Sequence, residues 1–466
     1  MDELVSWAKS HGAALHPSVE VYNDPGTGNS FRVSADGAGV NPGETVVSCP
    51  LNLTLSYLNT TTTPSPGFHH DDTTSGAFPP SFLDAVPPHI ISRFFLIHQY
   101  LLGKDSFWYP YIRTLPQPQH LPSWILPPLW PSDDIELLED TNVHVAIAEI
   151  KARLKSEYKQ AIAAFGDAPA RHDYTRLLYN WAYCIFTSRS FRPSLVIPAS
   201  HQHTLSLPEG CAVDDFSLLL PLFDVGNHSP TAGISWDSDA ATNVCSLRTL
   251  DPYAPGAQVF NNYGTTKTNA ELMLAYGFRI PESDALHNDY VHVQRRGAKP
   301  SADEGAGAAK PRDYLISLRP AADPSSVAAR SVRILHDIDG AKVLPPFRHV
   351  QDTMVWELVL AQTTEEQRRE LLPVADGVDA ARADPERLRM ILTGQTAAAF
   401  QPVLFQTIGI IQNKVFQELE RLDQSEFELE ESEATRNQLM AYHYRRQCRK
   451  VLMNVLESME MPDEAT

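Results

Sequence analysis

Positions Ile91, Phe94, Phe95, His98, Leu101 and Leu102 recur at spacings of three and four, which predicts a helix beginning near Pro88. Val143, Ile147, Ile150 and Leu154 repeat that period, and Leu177, Leu178, Trp181 and Ile185 do so again from about Tyr174. The block from about 88 to 186 therefore reads as all-helical. On either side the pattern changes to short apolar runs cut by turn residues. Residues 31–58 read as short strands, with Asn41-Pro42-Gly43 as a turn ahead of Thr45-Val46-Val47. Ser217 to Leu220, Asn243 to Thr249 and Gln258 to Asn262 read the same way. Thr268 and Glu271 stand at the spacing of a capping box, which starts a helix over AELMLAYG.

Beyond about Ser325 the helical period returns, in Ile408, Ile411, Val415, Leu419 and Leu422 and again in Tyr444, Cys448, Val451 and Val455. Two stretches lack any period. Asn59 to Pro80, rich in Thr, Pro and Gly, reads as a mobile surface loop, and Gly297 to Asp323 reads as a linker. The expected organisation is a β-rich domain over 1–280 interrupted by the helical insertion at about 88–186, a linker over 281–324, and an all-helical domain over 325–466. The fold class is α+β, and no repeat of solenoid or propeller length is visible.

Length and composition sharpen this picture. A chain of 466 residues with 43% hydrophobic and 20% charged residues has the composition of packed domains, two or three by length. Its 57 acidic residues exceed its 38 basic ones, a formal charge of −19 that disfavours nucleic acid and anionic membranes and suits basic protein segments. Arg445, Arg446, Arg449 and Lys450 cluster on the last helix, where they read as a solvated face. The start MDELVSWAKSHG lacks the pattern of a signal peptide, and no apolar run is long enough to span a membrane, so the expected setting is the cytoplasm, with the nucleus second. Five cysteines are scattered without a CxxC pair, which predicts neither disulfide framework nor metal site.

Two stretches crowd polar and special-backbone residues beside apolar strands: LLLPLFDVGNHSP at 218–230 and QVFNNYGTTKTNAELMLAYGF at 258–278. Together they resemble the paired signatures of SET-domain methyltransferases, an Asn-His motif followed by a tyrosine-glycine motif. SFWYPYIRTLP at 106–116 and WAYCIFTSRSF at 181–191 extend the resemblance to the branch of the Rubisco large-subunit and ribosomal-protein lysine methyltransferases. That branch carries a helical insertion within the SET fold and a helical substrate-binding domain after it. The resemblance implies S-adenosylmethionine as cofactor and a protein lysine as acceptor, on a non-histone partner with ribosomal proteins among the candidates, with the enzyme a monomer. It also implies that the tyrosine segment runs beside the Asn-His segment.

Carried over residue by residue, the resemblance makes Tyr263 the catalytic tyrosine and assigns Asn227 and His228 to the cofactor. An amide and an imidazole on a tight turn have the donors and acceptors for such a ligand. Asp224 and Arg189 join them, the arginine as a partner for the cofactor's carboxylate. The N-terminal cofactor loop departs from the family's Gly-rich pattern, reading Thr27-Gly28-Asn29-Ser30-Phe31, and Asn29 and Phe31 are its candidates. Tyr276 and Trp236 are the candidates for the wall of the substrate pocket.

Methyl transfer needs a neutral amine, and a lysine with a reference pKa of about 10.4 is neutral in roughly one molecule in 2,500 at pH 7. A sulfonium about 4 Å away lowers that value by roughly three units at an effective dielectric near 20. Alignment and charge placement thus suffice without a strong base, and Tyr263 is expected to align. Two rival readings stand beside this one: transfer to histidine on the same scaffold, and a SET-like scaffold that binds a partner without activity.

Overall fold

The computed structural model describes residues 1–61, 65–120, 126–294, 313–326, 334–375 and 380–459. Among the described residues eleven short strands form: β1 Ala14–Leu15, β2 Val19–Asp24, β3 Gly28–Val33, β4 Thr45–Pro50, β5 Ser190–Phe191, β6 Leu218–Leu219, β7 Ile234–Asp239, β8 Val244–Thr249, β9 Gln258–Val259, β10 Tyr290–Gln294 and β11 Asp313–Ser317. Every strand pairing is antiparallel, in sheets ordered β1-β4-β8-β7, β2-β3-β9, β5-β6 and β10-β11. The chain divides into two compact units, one of residues 1–129, 149–264 and 275–277, the other of 130–148, 265–274 and 278–466.

The first unit holds three of these sheets. Cys49 on β4 faces Cys245 on β8, so sequence segments on either side of the helical block share one sheet. A tight turn at 24–28 joins β2 to β3, with Gly28 at φ +78°, a conformation that a side chain would strain. Asp24 Oδ1 accepts the Gly26 and Thr27 amides at 2.9 Å each, which fixes the turn. The insertion runs through helices Pro88–Leu102, Tyr109–Ile112, Asn142–Ala164 and Arg176–Arg189. Its apolar spacings mostly turn inward, with Phe94, Phe95, Trp181 and Ile185 fully buried, whereas Leu101 and Leu177 face outward. A polar cluster is enclosed among the helices, where Glu157 accepts Arg93 Nη1 at 2.6 Å and the Tyr179 hydroxyl at 2.9 Å.

The loop expectation for 59–80 needs correction. Asn59, Thr60, Ser65, Phe68, Thr74 and Phe78 are buried, and local bonds satisfy several of the polar groups: Asn59 Nδ2 donates to the His69 carbonyl, and Asp71 Oδ1 accepts the Thr73 amide at 2.8 Å. Residues 62–64 lie outside the described residues.

In the second unit the helices Gln401–Gln424 and Arg436–Met459 pack on each other, with Ile411, Val415, Leu422, Tyr444, Cys448, Val451 and Val455 buried. β10 and β11 pair within the stretch expected as a linker, and residues 295–312 between them lie outside the described residues. Alternation explains the pairing, since Tyr290, Val291, Val293, Tyr314 and Ile316 are buried. The capping box at Thr268 and Glu271 is present, each backbone amide reaching the other side chain, at 2.7 and 3.4 Å. Arg445 departs from the solvated face expected for its cluster: only 7% exposed, it donates to the carbonyls of Leu422 and Ser425 at 3.0 and 2.9 Å. Among the described residues, no helix is long and apolar enough to cross a membrane, and no group of His, Cys, Asp and Glu is arranged to hold a metal ion.

Candidate active site

The two polar motifs meet in the first unit. After β6 the chain turns through Phe223–Val225, with Leu222 at φ +72°, and leaves Asn227 and His228 beside the segment that follows β9. His228 and Asn261 form a parallel bridge: the Asn261 amide donates to the Asn227 carbonyl at 2.7 Å, and the Ser229 amide to the Asn261 carbonyl at 2.9 Å. The tyrosine segment thus runs beside the Asn-His segment, as the resemblance implies.

These bonds set the place of Tyr263. Its amide donates to His228 Nδ1 at 3.1 Å, so that nitrogen carries no proton. Its phenol donates to the Gly226 carbonyl at 2.8 Å. Its ring lies between those of His228 and Tyr276, with centroids 5.0 and 4.7 Å away at 15° and 28°. Burial, chiefly, pushes the Tyr263 hydroxyl well above the usual phenol range, although the Arg189 charge opposes it. Tyr263 therefore stays protonated, able to donate and to orient but not to remove a proton. Gly264 behind it adopts φ 149°, which a side chain would disfavour.

Behind the motif lies a buried ion pair. Arg189, last residue of the helix Arg176–Arg189, donates through Nη1 to Asp224 Oδ2 and to the Asp224 carbonyl, both at 3.1 Å. Tyr111 donates to the same Oδ2 at 2.9 Å. The Asp224 side chain is 2% exposed and that of Arg189 28%. Burial raises the Asp224 pKa, against the opposing pull of Arg189 and Tyr111. Beyond the two Nη1 bonds to Asp224, the guanidinium keeps three N–H donors, on Nη2 and Nε, and it is partly exposed. A carboxylate-bearing ligand fits that donor set.

The remaining candidates fall around this centre. Asn227 Nδ2 donates to Thr27 Oγ1 at 2.8 Å, tying the Asn-His turn to the hairpin turn between β2 and β3. Phe31 on β3 is buried against Gly226, where an added Cβ would come within 3.3 Å of its ring; its backbone pairs with Val259. Asn29 accepts from Asn23 Nδ2 and lines a cavity of about 290 Å³ with Met1, Glu3, Arg113 and Thr114. Trp236 on β7 packs against Phe191 and Phe223 at 5.5 and 5.4 Å, one residue before Asp224 in the latter case. Tyr111 and Thr27 are contributors that the sequence reading did not single out. Tyr111 lay within a quoted motif, but nothing local shows that it reaches a carboxylate 113 residues on.

No protein-family model matches the chain. Among curated proteins it is similar to the ribosomal lysine N-methyltransferase set10 of Schizosaccharomyces pombe, 29% identical over 309 residues, 64% of this chain and 50% of the relative. It is also similar to the human actin-histidine N-methyltransferase, 24% identical over 285 residues, 59% of this chain and 42% of the relative. The chain thus spans about half the length of the curated relatives it matches. Among solved structures, Rubisco LSMT bound to AdoMet superposes with a TM-score of 0.61 at 15% identity, covering 98% of this chain and 91% of that one. The chain thus shares the fold of Rubisco LSMT and is similar in sequence to protein N-methyltransferases named for lysine and for histidine.

Proposed function

We propose that the chain is an S-adenosylmethionine-dependent protein-lysine N-methyltransferase acting on a non-histone protein, with ribosomal proteins the first substrate class to test. The observation that carries this reading is a protonated Tyr263 held between two rings and bonded to the Gly226 carbonyl, directly beside the Arg189–Asp224 pair. The name of the fission-yeast relative supports the acceptor class. In this reading Arg189 takes the cofactor's carboxylate, Asn227 and His228 hold its remaining polar groups with Asp224, and the strand at Asn29 and Phe31 contributes backbone. When bound, S-adenosylmethionine supplies an electrophilic methyl on a sulfonium.

The chain's own residues then have a limited task. Tyr263 keeps its proton, so it orients the acceptor through its hydroxyl and ring, and the acceptor amine loses its proton to solvent. Tyr276 supplies an aromatic wall beside it, and Trp236 with Phe191 a second. Orientation of this kind dominates because, among the described residues, no strong base faces the Tyr263 hydroxyl.

The test is methyl transfer from labelled S-adenosylmethionine to proteins of a cell extract, comparing the protein with Tyr263→Phe and locating the label by mass spectrometry. Labelled lysine, reduced at least about tenfold in the variant, is expected; that factor corresponds to about 1.4 kcal/mol of transition-state stabilisation. Equal labelling by both proteins sinks the site. Label on histidine sinks the lysine reading and favours the activity named for the human relative. Failure to bind S-adenosylmethionine in calorimetry favours the inactive scaffold.

A further inference from the structure

Tyr111 sits in the helical insertion, on the short helix Tyr109–Ile112, far in sequence from both polar motifs. It is 1% exposed, and its phenol has one recorded task, the 2.9 Å bond to Asp224 Oδ2. The same oxygen accepts Arg189 Nη1. Two donors on one carboxylate oxygen hold it in place, and with it the Arg189 Nη1 that donates to both the Asp224 side chain and its carbonyl.

We propose that Tyr111 is a positioning residue of this site: by sharing Asp224 Oδ2 with Arg189 it fixes the guanidinium that receives the cofactor's carboxylate. The inference rests on the functional reading above. It gives the insertion a part in cofactor binding as well as in separating the two β-rich halves. The groups that face Asp224 are Tyr111, Arg189, Cys49 and Tyr263. Burial first, then the Asp224 charge, holds the Tyr111 hydroxyl well above the usual phenol range, and burial does the same for the Cys49 thiol. Tyr111 is thus a permanent donor, and Asp224, not the four groups that face it, is the one that gains a proton as the solution turns acid.

The test is calorimetric binding of S-adenosylmethionine to the full chain and to Tyr111→Phe, which keeps the ring in its slot and removes one donor. Hydrogen bonds to charged groups contribute enough that Kd should rise about tenfold in the variant at pH 8. Loss of the donor raises the Asp224 pKa further, so the ratio of variant to wild-type Kd should grow as the solution is made more acid. Tyr179→Phe is the control: it removes another buried phenol of the insertion, bonded to Glu157 and Arg93, and should leave Kd unchanged. A ratio below about threefold at pH 8 overturns the inference, as does a ratio that does not grow on acidification or an equal effect of Tyr179→Phe. Wild-type protein that binds no S-adenosylmethionine overturns the functional reading and this inference with it, a result distinguishable from the others.

Discussion

Gly226→Ala should loosen the site more than it loosens the fold. Gly226 adopts φ −66°, open to any residue, so its lack of a side chain answers to space rather than to backbone conformation. A Cβ there would stand 3.3 Å from both Cδ2 and Cε2 of Phe31 and 3.4 Å from the Asn261 Cβ, closer than carbon atoms pack at their optimum. Overpacking of this order costs about 1–3 kcal/mol, and the reduced freedom of the unfolded chain offsets about 0.4–1 kcal/mol of it. A net loss of about 1–2 kcal/mol is expected in urea denaturation. The strain falls on the residue whose carbonyl accepts the Tyr263 hydroxyl and which precedes Asn227, so cofactor binding should weaken as well. Phe31→Leu would relieve the contact, and a double-mutant cycle between the two should give a coupling of at least about 0.5 kcal/mol. Strict additivity, or a Gly226→Ala protein as stable as the parent, would refute the packing argument.

Two further outcomes are expected. Burial alone would raise the Glu157 pKa, but His89, Arg93 and Tyr179 bring it from an ordinary 4.5 down to about 2. A carboxyl depressed on folding stabilises above its unfolded pKa and loses that contribution as pH falls toward its folded one. Glu157→Gln should therefore cost about 3 kcal/mol near pH 7, and the gap between variant and parent in denaturant titrations should shrink between pH 4.5 and pH 2; a gap constant with pH contradicts it. Arg445→Met should destabilise the second unit by more than about 2 kcal/mol, since it leaves the buried Leu422 carbonyl and the half-buried Ser425 carbonyl without their donor. Hydrogen exchange should then rise at the C-terminal end of the helix Gln401–Gln424; unchanged protection there would count against it.

The helices were legible because their apolar positions recur over three or more turns, as at Phe94, Trp181 or Val451. Short apolar runs marked β6 and β9, but β1 and β5, also two residues long, give alternation nothing to act on. β7 was missed although Ile234 and Trp236 alternate, because its polar Asp237–Asp239 end reads as a turn. The Thr- and Pro-rich composition of 59–80 concealed a packed segment whose polar groups bond to one another. The site itself was readable where its members stand together in sequence, as in Asn227-His228 and Tyr263. Partners reached through the fold, Tyr111 and Thr27, leave no local mark.

The pairing of β4 with β8 joins residues 45–50 to 244–249, a closure that spans the whole insertion. Chain entropy makes such closure slow rather than severely unfavourable, since each doubling of loop length adds only about 0.6 kcal/mol. The helices Pro88–Leu102 and Arg176–Arg189, first and last of the long helices in the insertion, pack against each other. Local contacts within a helical block form before distant strands pair. Once those helices meet, the free chain between β4 and β8 is shortened from both sides. On the ribosome, the N-terminal strands must then wait for a partner made some 200 residues later, with β4 unpaired on its β8 side until the insertion has drawn the two ends together.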